Sequence, residues 1–263
     1  MKKLKNKTIV ITGASSGIGE KVARKVAEKG ATPILLARSS DKLEKISKEI
    51  KEDFSVTCLY FQLDVSDTKQ VKREFDKILH EVSSIDILIN NAGFGIFDAF
   101  HEASLDEIDR MFKVNVLGLM ACTKQVLPSM LEKNTGHIVN IASQAGKLAT
   151  PKSSGYSASK HAVLGFTNSL RLELSKTDIY ISAVNPGPIE TKFFETADRS
   201  GSYVENVKKY MLQSDKVADK IVQLLINPKR ELNIPKWMNF GNKLYNLFPG
   251  IADKLIAPFL DRK

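Results

Sequence analysis

Three polar residues, Ser143, Tyr156 and Lys160, have the types and the spacing that proton transfer to a carbonyl oxygen requires. Tyr156 and Lys160 lie four positions apart, so a helix presents both on one face. A free tyrosine has a pKa of about 10, and a lysine cation one turn away favours the phenolate and lowers that pKa. Ser143 ends an apolar β-rich run, where its hydroxyl is expected to bond the substrate oxygen. Together the three residues predict acid/base catalysis on a carbonyl or an alcohol.

A glycine-rich turn follows the first predicted strand and opens the first predicted helix, with the sequence Thr12-Gly13-Ala14-Ser15-Ser16-Gly17-Ile18-Gly19. Small residues let the backbone approach a pyrophosphate, and the helix N-terminus favours its negative charge. The spacing is GxxxGxG rather than the commoner GxGxxG, and a tight turn without a ligand is the alternative. The residues predicted to contact a dinucleotide here are Gly13, Ser15, Ser16, Gly17, Ile18 and Gly19.

The end of the second predicted strand indicates which nicotinamide cofactor the turn would bind. NAD-preferring enzymes usually carry an acidic residue there, about twenty residues after the turn, for the ribose hydroxyls. Ala37 occupies that place, and Arg38 and Ser39 follow it. An arginine can pair with a 2′-phosphate through two parallel hydrogen bonds, whereas the alternative is a solvated loop residue. We therefore predict NADP(H) rather than NAD(H), with Arg38 at the phosphate and Ser39 beside it.

Two further predicted strand ends carry residues suited to a nucleotide. Asp64 and Val65 follow the third strand, where the carboxylate is expected to bond the adenine amino group. The fourth strand runs into Asn91, Ala92 and Gly93, which are expected to support the sheet and contact the nucleotide. Asn, Asp and Gly are also ordinary turn residues, so a purely structural role is the alternative for each.

The elements that position these residues follow from the alternation of apolar β-rich runs with amphipathic helical stretches. The predicted strands are Thr8–Thr12, Thr32–Ala37, Val56–Leu63, Ile85–Asn90, His137–Ala142, Tyr180–Asn185 and Glu231–Pro235. The predicted helices are Gly17–Lys29, Asp41–Lys51, Thr68–Val82, Leu105–Glu132, Tyr156–Ser175 and Asp215–Leu225. Short apolar strands separated by helices indicate a parallel sheet covered on both faces. The sequence therefore predicts an α/β, doubly wound Rossmann-type sheet of about seven strands, with ligands at the carboxyl ends of the strands.

No linker rich in Pro, Gly and Ser divides the chain, so residues 1–263 are predicted to form one domain. Its core spans 1–236, residues 190–215 form a long loop that acts as a substrate lid, and 237–263 form an amphipathic helical extension. The aromatic residues of the lid are Phe193, Phe194, Tyr203 and Tyr210.

From about Lys5 to Pro235 the chain resembles the short-chain dehydrogenase/reductase family, in its short, single-domain, NADP-preferring branch. The motif residues that match in order are Thr12, Gly13, Gly17, Gly19, Asn90, Asn91, Ala92, Gly93, Asn115, Ser143, Tyr156, Lys160, Pro186 and Gly187. The resemblance implies that Tyr156 is the general acid/base, that Lys160 also bonds the nicotinamide ribose, and that Ser143 polarises the carbonyl. It further implies that Asn115 anchors a water linking Lys160 to solvent.

The resemblance also implies a nicotinamide loop after the sixth predicted strand. Its implied cofactor contacts are Pro186, Gly187, Ile189 and Thr191, the last two at the carboxamide. The helices predicted at 105–132 and 156–175 resemble those that pair across subunits in this family. A homodimer or homotetramer is therefore expected.

The C-terminal extension departs from family members that reduce acyl-carrier-protein esters, which usually end soon after the last strand in a glycine-rich stretch. One helical face carries Phe240, Leu244, Leu247 and Phe248, and another carries Ile251, Leu255 and Phe259. Residues 229–263 also hold +4 of the net charge of +9. Packing on the domain's own core, a dimer contact, a lid over an apolar substrate and weak contact with a membrane surface stay open as alternatives. The ending is loosely similar to that of steroid and lipid carbonyl reductases, so an apolar substrate is expected.

The composition, 43% hydrophobic and 26% charged over 263 residues, is that of a soluble globular protein. No apolar run is long enough for a membrane span or a secretory signal, so a cytoplasmic location is expected, with a peripheral membrane contact left open. Cys58 and Cys122 are isolated and the histidines lack ligand spacing, so no metal site is predicted. No nucleic-acid-binding motif accompanies the basic charge, so no nucleic-acid partner is predicted.

Taken together, the sequence predicts an NADP(H)-dependent oxidoreductase that interconverts a carbonyl and an alcohol on an apolar small molecule, with hydride transfer from or to the nicotinamide. The alternative is a catalytically silent dinucleotide-binding scaffold or sensor. The presence of Ser143, Tyr156 and Lys160 together favours the enzyme.

Overall fold

A computed structural model describes residues 4–148, 150–199, 201–250 and 254. The strands in these residues are β1 (Thr8–Thr12), β2 (Thr32–Ala37), β3 (Leu59–Gln62), β4 (Ile87–Asn90), β5 (Gly136–Ile141), β6 (Ile179–Pro186), β7 (Ile189–Glu190), β8 (Leu212–Gln213) and β9 (Glu231–Ile234). The α-helices are α1 (Gly17–Glu28), α2 (Ser40–Phe54), α3 (Thr68–Glu81), α4 (Leu105–Phe112), α5 (Leu119–Glu132), α6 (Ser154–Glu173), α7 (Phe193–Ala197), α8 (Ser202–Val207), α9 (Ser214–Ile226) and α10 (Met238–Leu247).

Seven of these strands form a parallel sheet in the order β3-β2-β1-β4-β5-β6-β9. The strand order reverses between β1 and β4, which pair directly, with Ile9 opposite Ile87. In a doubly wound sheet, such a reversal opens a crevice at the carboxyl ends of the strands, where ligands bind. The predicted seven-stranded Rossmann-type fold is confirmed.

The central strands are buried on both faces because helices cover each side of the sheet. In β1, Ile9 and Ile11 pack into an apolar cluster that includes Val22 of α1 and Ile221 of α9. Val10, between them, points to the opposite face and packs into a separate cluster with residues of α3 and α5. This burial explains why the strands read as continuous apolar runs without alternation.

Helix α3 shows how the sequence starts and stabilises a helix. A side chain accepts hydrogen bonds from the free N–H groups of its first turn, and an apolar face packs on the sheet. In α3, the Asp67 carboxylate accepts hydrogen bonds from the backbone N–H groups of Lys69 and Gln70, both at 3.0 Å. The apolar face of α3 then buries Phe75 and Ile78 completely. Such a capped, amphipathic helix is anchored at its start and held to the sheet along its length.

The third strand is shorter than predicted, because β3 covers Leu59–Gln62 rather than Val56–Leu63. Two larger differences change the kind of element. The helix predicted at 105–132 is interrupted by a π-helical stretch, Lys113–Gly118, which separates α4 from α5. The lid region 190–215 is not a long loop, because it folds into α7, α8 and a two-stranded parallel ribbon in which Ile189 of β7 pairs with Leu212 of β8. Its own hydrogen bonds therefore hold the lid in a defined shape.

The first helix of the C-terminal extension, α10, packs against β9. On its predicted apolar face, Leu247 is 71% exposed and the neighbouring Phe248 is 51% exposed. The side chains of Phe240 and Leu244, and the second predicted face at Ile251, Leu255 and Phe259, lie outside the described residues. No helix within the described ranges is long and apolar enough to cross a membrane.

Candidate functional site

A cavity of about 650 Å³ opens at the carboxyl ends of the central strands, on the crevice side of the sheet. Its walls include nearly all of the residues that the sequence predicted for cofactor binding and catalysis. The predicted residues that line it are Gly13, Ser15, Ser16, Gly17, Ile18, Arg38, Ser39, Asp64, Val65, Asn91, Ala92, Gly93, Ser143, Tyr156, Lys160, Pro186, Gly187, Ile189 and Thr191. Gly19 and Asn115 are the two predicted site residues that do not line the cavity.

The glycine-rich turn has the backbone shape of an anion cradle. Gly13 and Gly17 adopt φ angles of +66° and +58°, which are strained for residues that carry a Cβ atom. A Cβ atom on Gly19 would lie 2.4 Å from the Gly13 carbonyl oxygen, so the third glycine is needed for the turn to close against α1. The N-terminal residues of α1 then face the cavity, and the positive end of the helix fits a pyrophosphate there.

Asn91 holds this turn against the neighbouring strand. Its Nδ2 donates to the backbone carbonyls of Thr12 and Gly13, at 2.9 and 3.2 Å. In return, the Thr12 hydroxyl accepts from the backbone N–H groups of Asn91 and Ala92, at 3.0 and 2.9 Å. The supporting role predicted for Asn91 is therefore present. The role of Thr12 was missed, because only its contact across the sheet reveals it.

At the end of the cavity predicted to bind the adenosine, Arg38 is exposed and the carboxylate of Asp64 is hydrogen-bonded within the protein. Arg38 is exposed and lines the cavity, and no ion pair within the described part of the chain includes it. The Asp64 carboxylate accepts hydrogen bonds from the backbone N–H and the hydroxyl of Ser66, at 2.9 and 2.6 Å. A guanidinium without a protein carboxylate is available to a phosphate, so this end fits a 2′-phosphorylated adenosine.

The three residues predicted to carry the chemistry meet at the opposite end of the cavity. Ser143 follows β5, and Tyr156 and Lys160 share one face of α6. The Lys160 Nζ donates a 2.9 Å hydrogen bond to the Ile141 carbonyl oxygen and lies 5.8 Å from the centroid of the Tyr156 ring. A side-chain hydrogen bond joins Tyr156 to Ser143. The phenol and the serine hydroxyl can therefore contact one substrate oxygen together.

The pKa of Tyr156 is shifted in the direction opposite to the sequence prediction. Burial raises the pKa of Tyr156 to about 12, although the hydrogen bond with Ser143 acts to lower it. Burial also lowers the pKa of Lys160 to about 8. Removal from water disfavours the charged form of each group, which is the phenolate of Tyr156 and the ammonium of Lys160. At neutral pH the phenol is therefore protonated, which suits the donor in carbonyl reduction.

Asn115 lies in the π-helical stretch, fully buried. Its Oδ1 accepts from the Phe94 N–H at 3.0 Å, and its Nδ2 donates to the Phe94 carbonyl at 2.9 Å and to the Ser159 hydroxyl at 3.1 Å. These bonds fix the cavity wall next to α6. The water that the family resemblance implies at Asn115 stays a prediction. The π-helix itself is a feature that recurs at functional sites.

Aromatic side chains surround Tyr156 at the substrate end of the cavity. The ring of Phe97 lies 5.6 Å from the Tyr156 ring and 4.9 Å from the Tyr203 ring, and Phe193 lies 5.7 Å from Tyr156. Phe194 packs against Phe193 at 5.3 Å. We call these five residues the aromatic cluster. The sequence indicated its lid members but missed Phe97, which comes from the segment after β4.

Three further residues that line the cavity, Met238, Glu107 and Arg199, were not predicted from the sequence. Met238, the first residue of α10, lines the cavity. Glu107 of α4 forms an ion pair with Arg199 of the lid, and both residues line the cavity as well. Tyr210, which the sequence placed in the lid, does not line the cavity and is 66% exposed. Only the folded chain brings these distant segments together.

Comparison with known proteins places this arrangement in context. Residues 7–200 match the model of a family described as short chain dehydrogenase. A Schizosaccharomyces pombe protein named NADP-dependent 3-hydroxy acid dehydrogenase is 40% identical over 195 residues, which cover 73% of this chain and 75% of that protein. A Homo sapiens protein named dehydrogenase/reductase SDR family member 7 is 36% identical over 198 residues, covering 74% of this chain and 58% of that protein.

Solved structures resemble the fold over most of its length. A short-chain dehydrogenase from Sphingobium yanoikuyae in complex with NADPH is 28% identical, with a TM-score of 0.80, and the match covers 92% of this chain and 95% of that one. An alcohol dehydrogenase from Thermococcus sibiricus complexed with 5-hydroxy-NADP is 30% identical, with a TM-score of 0.79, covering 88% and 96%. A Burkholderia phymatum member in complex with NAD has a TM-score of 0.87 at 25% identity, covering 95% and 96%.

Proposed function

Because the chain belongs to the short-chain dehydrogenase/reductase family, we propose that it is an NADP(H)-dependent oxidoreductase that interconverts a carbonyl and an alcohol on an apolar small molecule. The observation that carries the proposal is the single cavity wall shared by the glycine-rich turn, Arg38 and the group of Ser143, Tyr156 and Lys160. Such a wall would hold a dinucleotide with a 2′-phosphate at Arg38 and the nicotinamide near Tyr156.

The choice of NADP(H) rests on Arg38 and on the relatives. Arg38 follows Ala37, which stands where an acidic residue would bind the ribose hydroxyls of NAD, and Arg38 forms no ion pair with the described residues. Relatives and structural neighbours whose names include NADP or NADPH support the same choice. The nicotinamide, when bound, supplies or accepts the hydride. All proton handling is then left to the protein.

The protein's own residues perform the proton transfer in this proposal. Ser143 donates a hydrogen bond to the substrate oxygen, and Tyr156 delivers its phenolic proton to that oxygen during reduction. Lys160 holds the helix that carries Tyr156 against the end of β5. Because the pKa of Tyr156 is raised to about 12, the phenol carries its proton at neutral pH and can donate it when a carbonyl is reduced.

The proposed substrate is apolar because the aromatic cluster forms the wall around Tyr156. Ile96 and Phe97 add apolar surface from the segment after β4, and Met238 adds it from α10. A polar substrate would leave its own hydrogen-bonding groups unpaired against these side chains, which costs binding energy. A neutral ketone or aldehyde with an aromatic or aliphatic substituent fits this surface best.

The first experiment titrates NADPH and NADH separately, with nicotinamide fluorescence as the signal. Tight NADPH binding and weak NADH binding are expected. A panel of apolar ketones and aldehydes is then offered with NADPH, and the loss of its absorbance is followed, with Tyr156→Phe as the inactive control. Tighter binding of NADH would overturn the choice of cofactor. Binding of NADPH without any turnover would favour the alternative of a silent dinucleotide-binding scaffold.

We also propose a homodimer or a homotetramer, as the family resemblance implies. Large apolar side chains are exposed on the helices in question, with Leu117 at 51% next to α5 and Leu172 at 72% on α6. Covering such side chains against a second copy would remove apolar surface from water. Light scattering coupled to size-exclusion chromatography gives the mass directly, and a monomer at micromolar concentration would contradict this part of the proposal.

A further inference from the structure

The helix α10 is tied to the catalytic turn by one buried amide. Asn242 is 2% exposed, and its Nδ2 donates a 2.6 Å hydrogen bond to the Oε1 of Gln144. The Oδ1 of Asn242 is also buried and has no hydrogen-bond partner within the described residues. Asn242 therefore contributes one hydrogen bond, from its Nδ2 to Gln144, whereas its Oδ1 contributes none within the described residues.

Gln144 is the residue directly after Ser143, and it is held at both ends of its side chain. It is 4% exposed and begins a short 3₁₀ turn, Gln144–Gly146. Its Nε2 donates to the Asn185 carbonyl oxygen at 2.7 Å, while its Oε1 accepts from Asn242. One side-chain amide is thus clamped between the end of β6 and α10.

The two hydrogen bonds of the Gln144 amide help to fix the orientation of the Ser143 hydroxyl. The Oγ of Ser143 accepts from the Ala145 N–H at 3.1 Å, and the Gly146 N–H donates to the Ser143 carbonyl at 3.0 Å. The orientation of the serine therefore depends on the turn that Gln144 begins. A shift of about 1 Å in a catalytic group can cost about 100-fold in rate, so a small displacement of this turn matters.

A second contact brings α10 to the same region of the site. Met238 lines the cavity, and its Sδ would lie 3.2 Å from a Cβ atom placed on Gly187 in the nicotinamide loop. The helix therefore touches the loop after β6 with its first turn and the turn after β5 with Asn242. Both contacts lie on the sheet edge that carries the site.

We propose that Asn242 is a positioning residue for Ser143, acting through Gln144, so that docking of α10 completes the catalytic site. The proposal assigns to the first part of the C-terminal extension a role in catalysis rather than only in packing. It rests on the proposed function to the extent that Ser143 bonds the substrate oxygen.

The test compares Asn242→Asp and Asn242→Ala with the wild type, and uses Leu247→Ala as a matched control on the exposed side of the same helix. Asn242→Asp keeps the shape but removes the donor to Gln144. Both Asn242 variants are expected to lower kcat about tenfold with NADPH affinity unchanged, and Leu247→Ala is expected to leave kcat unchanged. Thermal unfolding confirms that each variant is folded at the assay temperature.

A double variant separates positioning from a general loss of structure. In a Ser143→Ala background, Asn242→Ala is expected to cause no further loss of kcat, because the hydroxyl it positions is gone. An equal tenfold loss in both backgrounds would overturn the proposal, as would full activity of both Asn242 variants.

Amide hydrogen exchange gives a readout that does not depend on turnover. The Ala145 and Gly146 amides are expected to exchange at least about tenfold faster in Asn242→Ala than in Leu247→Ala. Unchanged exchange would overturn the inference whether or not the enzyme is active. A wild type that turns over no carbonyl but shows the exchange effect would instead contradict the proposed function alone.

Discussion

The Nζ of Lys160 on α6 donates a 2.9 Å hydrogen bond to the backbone carbonyl of Ile141, the last residue of β5. Ser143 lies two residues beyond Ile141, and Tyr156 lies one helical turn before Lys160. This bond therefore ties the strand end that carries the serine to the helix that carries the phenol. The charge on Lys160 strengthens it, since hydrogen bonds from a cation are stronger than those from a neutral amine.

A pH dependence follows from the burial of Lys160. Its pKa is lowered to about 8, so the ammonium is present below that pH and is lost above it. The value of kcat/KM for carbonyl reduction is expected to fall as the pH rises through about 8, since the bond to Ile141 weakens. The pH–rate profile of the wild type measures this, because kcat/KM reports the groups of the free enzyme.

The Lys160→Arg variant provides the control for this pH dependence. A guanidinium keeps its charge throughout the accessible range, so the alkaline fall is expected to disappear even where the absolute rate is lower. An unchanged alkaline limb in Lys160→Arg would assign the titration to a different group.

Tyr156→Phe is expected to lower kcat by at least about 100-fold, because the proton donor is removed. The binding of NADPH is expected to be unchanged, since the phenylalanine ring keeps the packing against Phe97 and Phe193. Stopped-flow absorbance for turnover and nicotinamide fluorescence for binding measure the two quantities separately. Retained turnover would show that another group delivers the proton.

Arg38→Ala is expected to weaken NADPH binding at least about tenfold and to leave NADH binding nearly unchanged. The reason is that Arg38 forms no ion pair with the described residues, so its loss removes a phosphate partner rather than a structural contact. Lys48→Ala is the matched control, because it removes the same charge from a side chain of α2 that is 77% exposed. Equal losses for the two cofactors in Arg38→Ala would refute the role at the 2′-phosphate.

The fold was predictable because its signals are local in the sequence. The bounds of β1 and β2 agree with the prediction at both ends. The glycine spacing after β1 was informative for the same reason, since the close approach of Gly19 to the Gly13 carbonyl is a contact within one turn. The proximity of Tyr156 and Lys160 was likewise predictable from the sequence, because one helix carries both residues.

The missed features are contacts between segments that the sequence separates widely. Phe97 joins the aromatic cluster from the segment after β4, where its backbone N–H donates to the carbonyl of Ala197 in the lid at 2.8 Å. Asn242 meets Gln144 from the far end of the chain. The pKa direction of Tyr156 was wrong for a related reason, because the sequence shows the neighbouring lysine but not the depth of burial.

The free energy of unfolding is expected to fall in acid because His137 is buried in its neutral form. The residue is buried on β5 with its Nδ1 unpartnered within the described residues, and burial lowers its pKa from 6.5 to about 4. Between these two pH values the unfolded chain binds a proton that the folded chain does not. The free energy of unfolding therefore falls as the pH is lowered, by up to about 3 kcal/mol between pH 6.5 and 4.

Urea unfolding at a series of pH values tests this contribution in His137→Gln. The variant is expected to have a lower free energy of unfolding at pH 7 but a shallower loss between pH 6.5 and 4. His80→Gln, on the exposed side of α3, is the matched control and is expected to keep the wild-type slope. The same slope in His137→Gln as in the wild type would assign the acid sensitivity to carboxylates.

Glu107 is expected to determine whether a substrate carboxylate is accepted. Glu107 of α4 pairs with Arg199 of the lid, and both line the cavity. The hydrogen bond and the charge of Glu107 raise the pKa of the Arg199 guanidinium, and the nearby Asp98 adds to this effect. A cation that is already paired offers little to an anionic substrate, so the wild type is expected to prefer a neutral ester over the corresponding acid.

Glu107→Gln removes the competing carboxylate and leaves the side-chain shape nearly unchanged. The ratio of kcat/KM for 3-oxobutanoate to that for its ethyl ester is expected to rise about fivefold, because Arg199 becomes available to the substrate anion. Asp106→Asn is the matched control, since it removes the same charge from an exposed position of α4. The gain is also expected to shrink as the salt concentration rises. If both variants change the ratio equally, the effect belongs to the general charge of α4 and not to the Glu107–Arg199 pair.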